Sequence, residues 1–322
     1  MPRPRCVTDV IGPDVRQRMA AMGLPVGFIF TAVAYLIKGQ RVRLGTLDGV
    51  EFFAGVASWT KEMRNAGLKI GTFELQDGQD ILSAEGLLLA LELLLSCKPG
   101  GIAHWATVCS SWVTINRGTS QRSPDNVLGN ERYEYIRLAN IMVSRTALAI
   151  LFGLCFGVHF VLEQPLSSLM FSHPRVVQIV RLSELGIISK VEGTHIYMGM
   201  FGHWCPKPTR LLSSLPWISK LRRKLVRDKF QSGKKSYLTS VDDRGIKRFQ
   251  GSQHLKSSQA YPSGYGAAFA LHFVSEVVHI EDVDDKVVPC CEFSQMDTWE
   301  DADLELVWRI VYTQGPGGAS MC

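Results

Sequence analysis

With 322 residues, 46% of them hydrophobic and 20% charged, the chain has material for one large core, or a core with a small appended module, and falls outside the disordered class. Its eight cysteines, at positions 6, 97, 109, 155, 205, 290, 291 and 322, form no C-x-x-C pair and no small secreted framework. That excludes a disulfide scaffold, argues against a structural zinc site and favours a reducing compartment, nuclear or cytoplasmic.

In chain order, Met19 to Ile37 comes first: 19 residues without a charge, flanked by Arg16, Arg18, Lys38 and Arg41. Its length permits a membrane span, a signal anchor or a buried helix, and Pro25 with the small residues near its start weakens the first two. Any membrane contact would run through this segment. From Gly49 short apolar runs alternate with helical stretches, the signature of an α/β fold with a mostly parallel sheet covered by helices. VEFFA (50 to 54) reads as the first strand, and Trp59, Met63 and Ala66 follow at helical spacing until Gly67 closes that helix. LKIGTFEL reads as a second strand and Leu87 to Leu95 as a buried helix. Pro99, Gly100 and Gly101 then punctuate before the strand IAHWATVC. Asn130, with Glu131 and Glu134, suits the start of a long helix. Thr146 to Leu162 is broken by Gly153 and Gly157 and reads as helix, turn and strand, ending in VHFVLE (158 to 163).

Val176 to Leu185 reads as a helix, and THIYMGMF and TRLLSSL as the last sheet strands. Between Ile218 and Lys256 stand 12 Lys or Arg against 3 Asp or Glu, although the whole chain carries only +5. Such a block is either a footprint for a polyanion or a solvated surface. Residues 261 to 277 read as a loop and a helix returning to the core, and 281 to 305 carry ten acidic side chains against Lys286 alone. The layout is a leader (1–45), a core (46–216), a basic insert (217–258), a C-terminal helix (259–280) and an acidic tail (281–322).

A sheet of this kind binds ligands at the carboxyl ends of its strands, where the strand order reverses. Gly55 follows the first strand among small residues that let backbone approach a ligand, although a tight strand-to-helix turn explains them equally well. Glu74 ends the second strand 19 positions later, the distance at which dinucleotide sites place an acid on the ribose hydroxyls. Asp80 would lie near an adenine ring, or be a helix N-cap. Glu163 emerges straight from an apolar strand and stops at Pro165, so burial should raise its pKa and let it share a proton. Cys109, at the end of the neighbouring run, is its natural partner, although buried free cysteine is common in cores. His203 and Cys205 could begin a metal site, but no second pair follows, so no metal is expected.

The order of these motifs resembles the DNA cytosine-5 methyltransferases, which use S-adenosylmethionine, across about residues 48 to 216 with a fainter echo at 261 to 277. The resemblance implies a Rossmann-like S-adenosylmethionine-dependent methyltransferase fold with a short basic insert. EFFAG resembles the Asp-x-Phe-x-Gly cofactor loop and implies cofactor roles for Glu51, Phe53 and Gly55, with Glu74 on the ribose and Asp80 and Ile81 near adenine. VCSSWVTINR resembles the Pro-Cys-Gln loop and puts the nucleophile on Cys109. LEQP resembles Glu-Asn-Val and puts the acid on Glu163, and FGHWCPKPTRLLSS resembles the strand whose arginines brace the flipped base, with Arg210 the best match. Val108, Ser110 and Gln164 depart from the pattern, as do Val56 and Ala57 in the cofactor loop; nucleophile and acid remain.

The implied chemistry is thiolate addition at cytosine C6 while the carboxyl group holds N3 and the exocyclic amine. A thiol near pKa ~8.5 needs electrostatic help, for which His104, Arg117 or Arg122 are the candidates. The base must leave the duplex, with Trp105 or Trp112 to stack on it. The partner is nucleic acid, DNA being expected, contacted by Arg117, Arg222, Arg223, Lys224, Lys234 and Lys235. Two other classes fit parts of the pattern: a degenerate member that binds nucleic acid without methylating it, and a cysteine hydrolase using His104 or His159.

Overall fold

The computed structural model describes residues 6–230, 237–245, 247–254 and 256–277. Two helices, α1 (Pro13–Ala21) and α2 (Val26–Lys38), precede β1 (Leu47–Phe52), α3 (Ser58–Asn65), β2 (Ile70–Phe73), α4 (Ala84–Ser96) and β3 (Cys97–Trp105). After the short α5 (Arg117–Ser120) come α6 (Glu134–Cys155), β4 (His159–Pro165), α7 (Pro174–Glu184), β5 (Glu192–Tyr197) and β6 (Pro208–Ser213). The chain then forms an antiparallel ribbon, β7 (Tyr237–Val241) with β8 (Lys247–Gly251), and finishes its described part with α8 (Ser263–Val277).

The central sheet has the order β2-β1-β3-β4-β6-β5. The first four strands are parallel and β6 runs antiparallel between β4 and β5. This is a Rossmann-like α/β fold, and the order reverses between β1 and β3. The inner strands β1, β3 and β4 have two buried faces, whereas the edge strand β5 exposes Gly193 and His195. Val50, Phe52, Ala103, Trp105, Phe160 and Leu162 belong to a core shared with α1, α2, α4, α6 and α7. Ile70, Ile102, Val161 and Leu211 pack with Trp59, Tyr265 and Phe269 of α3 and α8. Alternation along the strands therefore places Glu51, His104 and Glu163 on the α3/α8 face. Gly266 makes that layer possible, because a Cβ there would come 2.9 Å from the Glu62 side chain and 3.2 Å from Trp59 Cα.

The apolar segment 19–37 is a packed helical hairpin and not a detached leader. Gly23 takes a left-handed φ of 70°, Pro25 stands ahead of α2, and Phe28, Ile29, Ala32, Val33 and Leu36 are buried in the larger core. Gln178 on α7 donates to the Met22 carbonyl at 3.1 Å, which ties the hairpin to the rest of the fold. Among the described residues the one helix long and apolar enough to cross a membrane is α6, and most of its apolar stretch is buried within the fold. That helix starts later than its sequence suggests. Asn130 sits in the turn before it, where its side chain meets Gln121 and the Arg132 amide, and α6 begins at Glu134. Residues 198–201 of THIYMGMF leave the sheet as a 3-10 turn. The acidic tail lies outside the described residues.

Candidate functional site

The carboxyl ends of β1, β2, β3 and β4 converge at the reversal of strand order. After β1 the backbone turns through three left-handed residues, Phe53 (φ 61°), Gly55 (φ 56°) and Ala57 (φ 52°). Two of these are not glycine, a strained arrangement held by the amides of Phe53 and Ala54 on the Phe73 carbonyl of β2, at 2.8 and 3.3 Å. The Gly55 amide donates to Glu74 Oε2 at 2.7 Å, so the two residues that the sequence separates by 19 positions are joined. Glu74 Oε1 receives only a long bond from the Gln76 amide, 3.4 Å, and keeps acceptor capacity. Asp80 accepts from the Leu82 amide at 2.9 Å and shapes the turn into α4, while Ile81 is buried beneath it. Glu51 points away from this loop into the α3/α8 layer. Its Oε2 accepts from the Thr60 amide and hydroxyl at 3.0 and 2.6 Å, Oε1 has no partner, and burial raises its pKa to about 7.

Cys109 lies four residues beyond the end of β3, in a turn. Its carbonyl accepts from the amides of Trp112 and Val113 at 2.9 and 3.2 Å. Neighbouring side chains clamp that turn: Gln164 donates to the Thr107 carbonyl, Asn116 to the Ser110 carbonyl, and Arg122 to Ser111 Oγ at 3.2 Å. The Arg122 guanidinium also stacks 3.4 Å from the Trp112 ring centre and donates to the Val127 carbonyl at 2.7 Å. Trp112 and Trp105 are both fully buried, Trp105 stacked on Phe52 at 3.7 Å, so neither is a platform for an incoming base.

The Cys109 thiol is half-buried, and its pKa is pushed up to about 11, first by burial and next by the Glu163 charge, with Lys207 pulling it down. Glu163 is itself raised by burial, against the opposing effects of Lys207, Tyr261 and Thr209. Tyr261 donates to Glu163 Oε2 at 2.9 Å, and Oε1 is buried without a partner. Of the three proposed helpers of the thiol, none stands beside it as a free cation. Burial depresses His104 to about 3, so it stays neutral and meets the Tyr265 hydroxyl at 3.1 Å. Arg122 directs its donors into the loop, and Arg117 is exposed on α5. His159 faces Ser214 at 3.2 Å, which leaves the cysteine hydrolase reading without a base at Cys109.

Arg210 does not reach this group. Glu163 pairs with Leu211 and Gln164 with Arg210, so Arg210 emerges on the opposite face of the sheet, with its guanidinium 4.4 Å from the Phe171 ring centre. The cation on the site face is Lys207, whose ammonium donates to the Gln259 carbonyl at 2.9 Å and lies 5.3 Å from the Tyr261 ring centre. Sequence reasoning missed Lys207, Thr209 and Tyr261. Counting back by twos from Leu211 finds the first two, whereas nothing local announces Tyr261.

In the basic block Arg222 and Lys224 are exposed. Arg223 is docked, donating to the Met200 carbonyl at 3.0 Å over the Phe201 ring. Lys234 and Lys235 lie outside the described residues. His203 Nδ1 and Cys205 Sγ stand 3.3 Å apart, but among the described residues no group of three or more His, Cys, Asp or Glu side chains could hold a metal ion. Neither a protein-family model nor a curated protein sequence matches the chain.

Proposed function

We propose that the chain is an S-adenosylmethionine-dependent methyltransferase acting on cytosine in nucleic acid, DNA being the expected substrate, with Cys109 as nucleophile and Glu163 as its acid partner. The observation that carries this reading is a thiol in the turn after β3 and a buried carboxyl group at the end of the neighbouring β4, coupled to each other beside the reversal of strand order. The residues fit the cofactor. A Cβ on Gly55 would meet nothing within 4 Å, so the loop faces open space, and Glu74 offers an oxygen with free acceptor capacity for ribose hydroxyls. Gly55 and Glu74 would hold the nucleoside, with Phe53, Asp80 and Ile81 around it. When bound, the cofactor supplies an electrophilic methyl group.

The chain's own residues account for activation of the base. Cys109 and Glu163 repel each other as anions, so ionisation of one disfavours ionisation of the other. With the proton on Glu163, Cys109 becomes the anion and can add to C6 while Glu163 holds its proton at N3. Lys207 favours a negative charge on either group, the sulfur included. The high thiol pKa favours a second reading, a degenerate member that binds nucleic acid without reacting.

Radiolabelled methyl transfer to duplex DNA tests the proposal directly, and cofactor titration tests its first step. Glu74→Ala should weaken S-adenosylmethionine binding by roughly 1.5 to 3 kcal/mol, because it removes both a charge-assisted acceptor and the anchor of the Gly55 amide. Unchanged affinity in calorimetry removes Glu74 from the site. No binding by the wild-type chain overturns the methyltransferase reading altogether.

The basic block, which carries the two-stranded ribbon, is suited to phosphate and groove contact, since such a ribbon fits the major groove. Duplex binding should fall steeply with salt. Neutralising Arg222 and Lys224 should reduce the log-log slope by about 1 for each phosphate that the variant no longer neutralises, with cofactor affinity unchanged. A slope that stays the same identifies the block as solvated surface.

A further inference from the structure

The segment that returns to the core after the basic block delivers one side chain to the carboxyl end of β4. Tyr261 donates its hydroxyl hydrogen to Glu163 Oε2 at 2.9 Å. Its ring is fixed from three sides: edge-on to His104 at 5.5 Å, 5.4 Å from the Tyr265 ring, and beneath the Lys207 ammonium at 5.3 Å. Glu163 Oε1, by contrast, is enclosed and accepts no hydrogen bond, although the Thr209 hydroxyl also favours the charged form of this carboxyl group. Buried carboxyl oxygens are rarely left so, and an orphan beside a thiol invites a ligand donor.

We propose that Tyr261 is a positioning residue that pins one carboxyl oxygen of Glu163 and leaves the other, Oε1, as the atom presented to a substrate ring nitrogen. The consequence is a choice of proton position. An oxygen that already accepts a hydrogen bond from a phenol is the poorer place for a proton, so a protonated Glu163 carries its hydrogen on Oε1. The charge on Glu163 raises Cys109 in the turn after β3, Tyr261 in the segment before α8 and Tyr265 on α8, while Lys207 ahead of β6 favours that charge. His104 is neutral and takes no charge across the working range. The catalytic meaning of this arrangement rests on Glu163 being the acid partner; the arrangement itself does not.

The test uses the full-length chain with 13C-labelled glutamate and no cofactor or DNA. Infrared difference spectra taken across pH follow the Glu163 carboxyl band, identified as the one lost in Glu163→Gln. Tyr261→Phe removes one oxygen and keeps the ring, and the Glu163 midpoint should rise by about one pH unit, because the charged form loses a donor. Tyr265→Phe, whose hydroxyl meets His104, should leave the midpoint in place. An unchanged midpoint in Tyr261→Phe, or an equal shift in both variants, overturns the proposal. A shift confined to Tyr261→Phe in a chain without methyl-transfer activity would uphold the positioning while removing the reading of function.

Discussion

Duplex DNA carrying 5-fluorocytosine should become covalently attached to the full chain through Cys109, and only when S-adenosylmethionine is present. Sulfur adds at C6 and a methyl group arrives at C5, but release of the sulfur needs a proton to leave C5, and fluorine stands in its place. Cys109→Ser should abolish the adduct completely while the fold and cofactor affinity persist, since serine is close in size and the turn is held by Gln164, Asn116 and Arg122 rather than by the thiol. Glu163→Gln should slow adduct formation by about 10² to 10⁴, the range for loss of a positioned proton donor. Mass spectrometry locates the modified residue. Attachment at another cysteine would falsify the nucleophile assignment, and no adduct from a chain that binds both cofactor and DNA moves the degenerate binder ahead.

The second large effect concerns stability. Burial raises Glu51 from an ordinary value of 4.5 to about 7, so the folded chain holds this proton more tightly than the unfolded one. The stabilisation is complete below pH ~4.5 and is lost as pH rises through ~7, where the buried charge is disfavoured by about 3 kcal/mol. Glu51→Gln, which can still accept both bonds from Thr60, should therefore be more stable than wild type at pH 8 by up to about 3 kcal/mol. The gain should shrink below pH 7 and vanish near 4.5. Urea unfolding at several pH values reads it, and an equally stable variant at pH 8 shows that the Glu51 charge is compensated in the folded chain.

The periodicities of two and 3.6 were enough to find β1 to β4 and the helices between them, because apolar residues there are separated by clear breakers. They could not settle which way a strand faces when both faces are buried. That is why Arg210, the conspicuous cation of PTRLL, looked like the site residue although the pairing of Gln164 with Arg210 puts it behind the sheet. The Met19 to Ile37 run was ambiguous for a related reason: apolar length alone does not distinguish lipid from protein as the covering, and only packing against the core resolves it. The spacing of 19 marked Glu74 and Gly55 as neighbours at adjacent strand ends, and the structure joins them directly, the Gly55 amide donating to Glu74. Tyr261 and Glu163 are 98 residues apart, and no property of either segment foretells their contact.

The helical hairpin of α1 and α2 has a consequence for synthesis. α2 is complete at Lys38, but the helix it rests on, α4, ends at Ser96. At typical elongation rates roughly 60 residues take about 3 to 12 s. Throughout that interval the nascent chain displays an uncovered apolar helix, and any ribosome-associated factor that samples such helices competes with docking. Docking begins when α4 emerges, so the pace of translation through residues 39 to 96 governs how long this hairpin waits for its place.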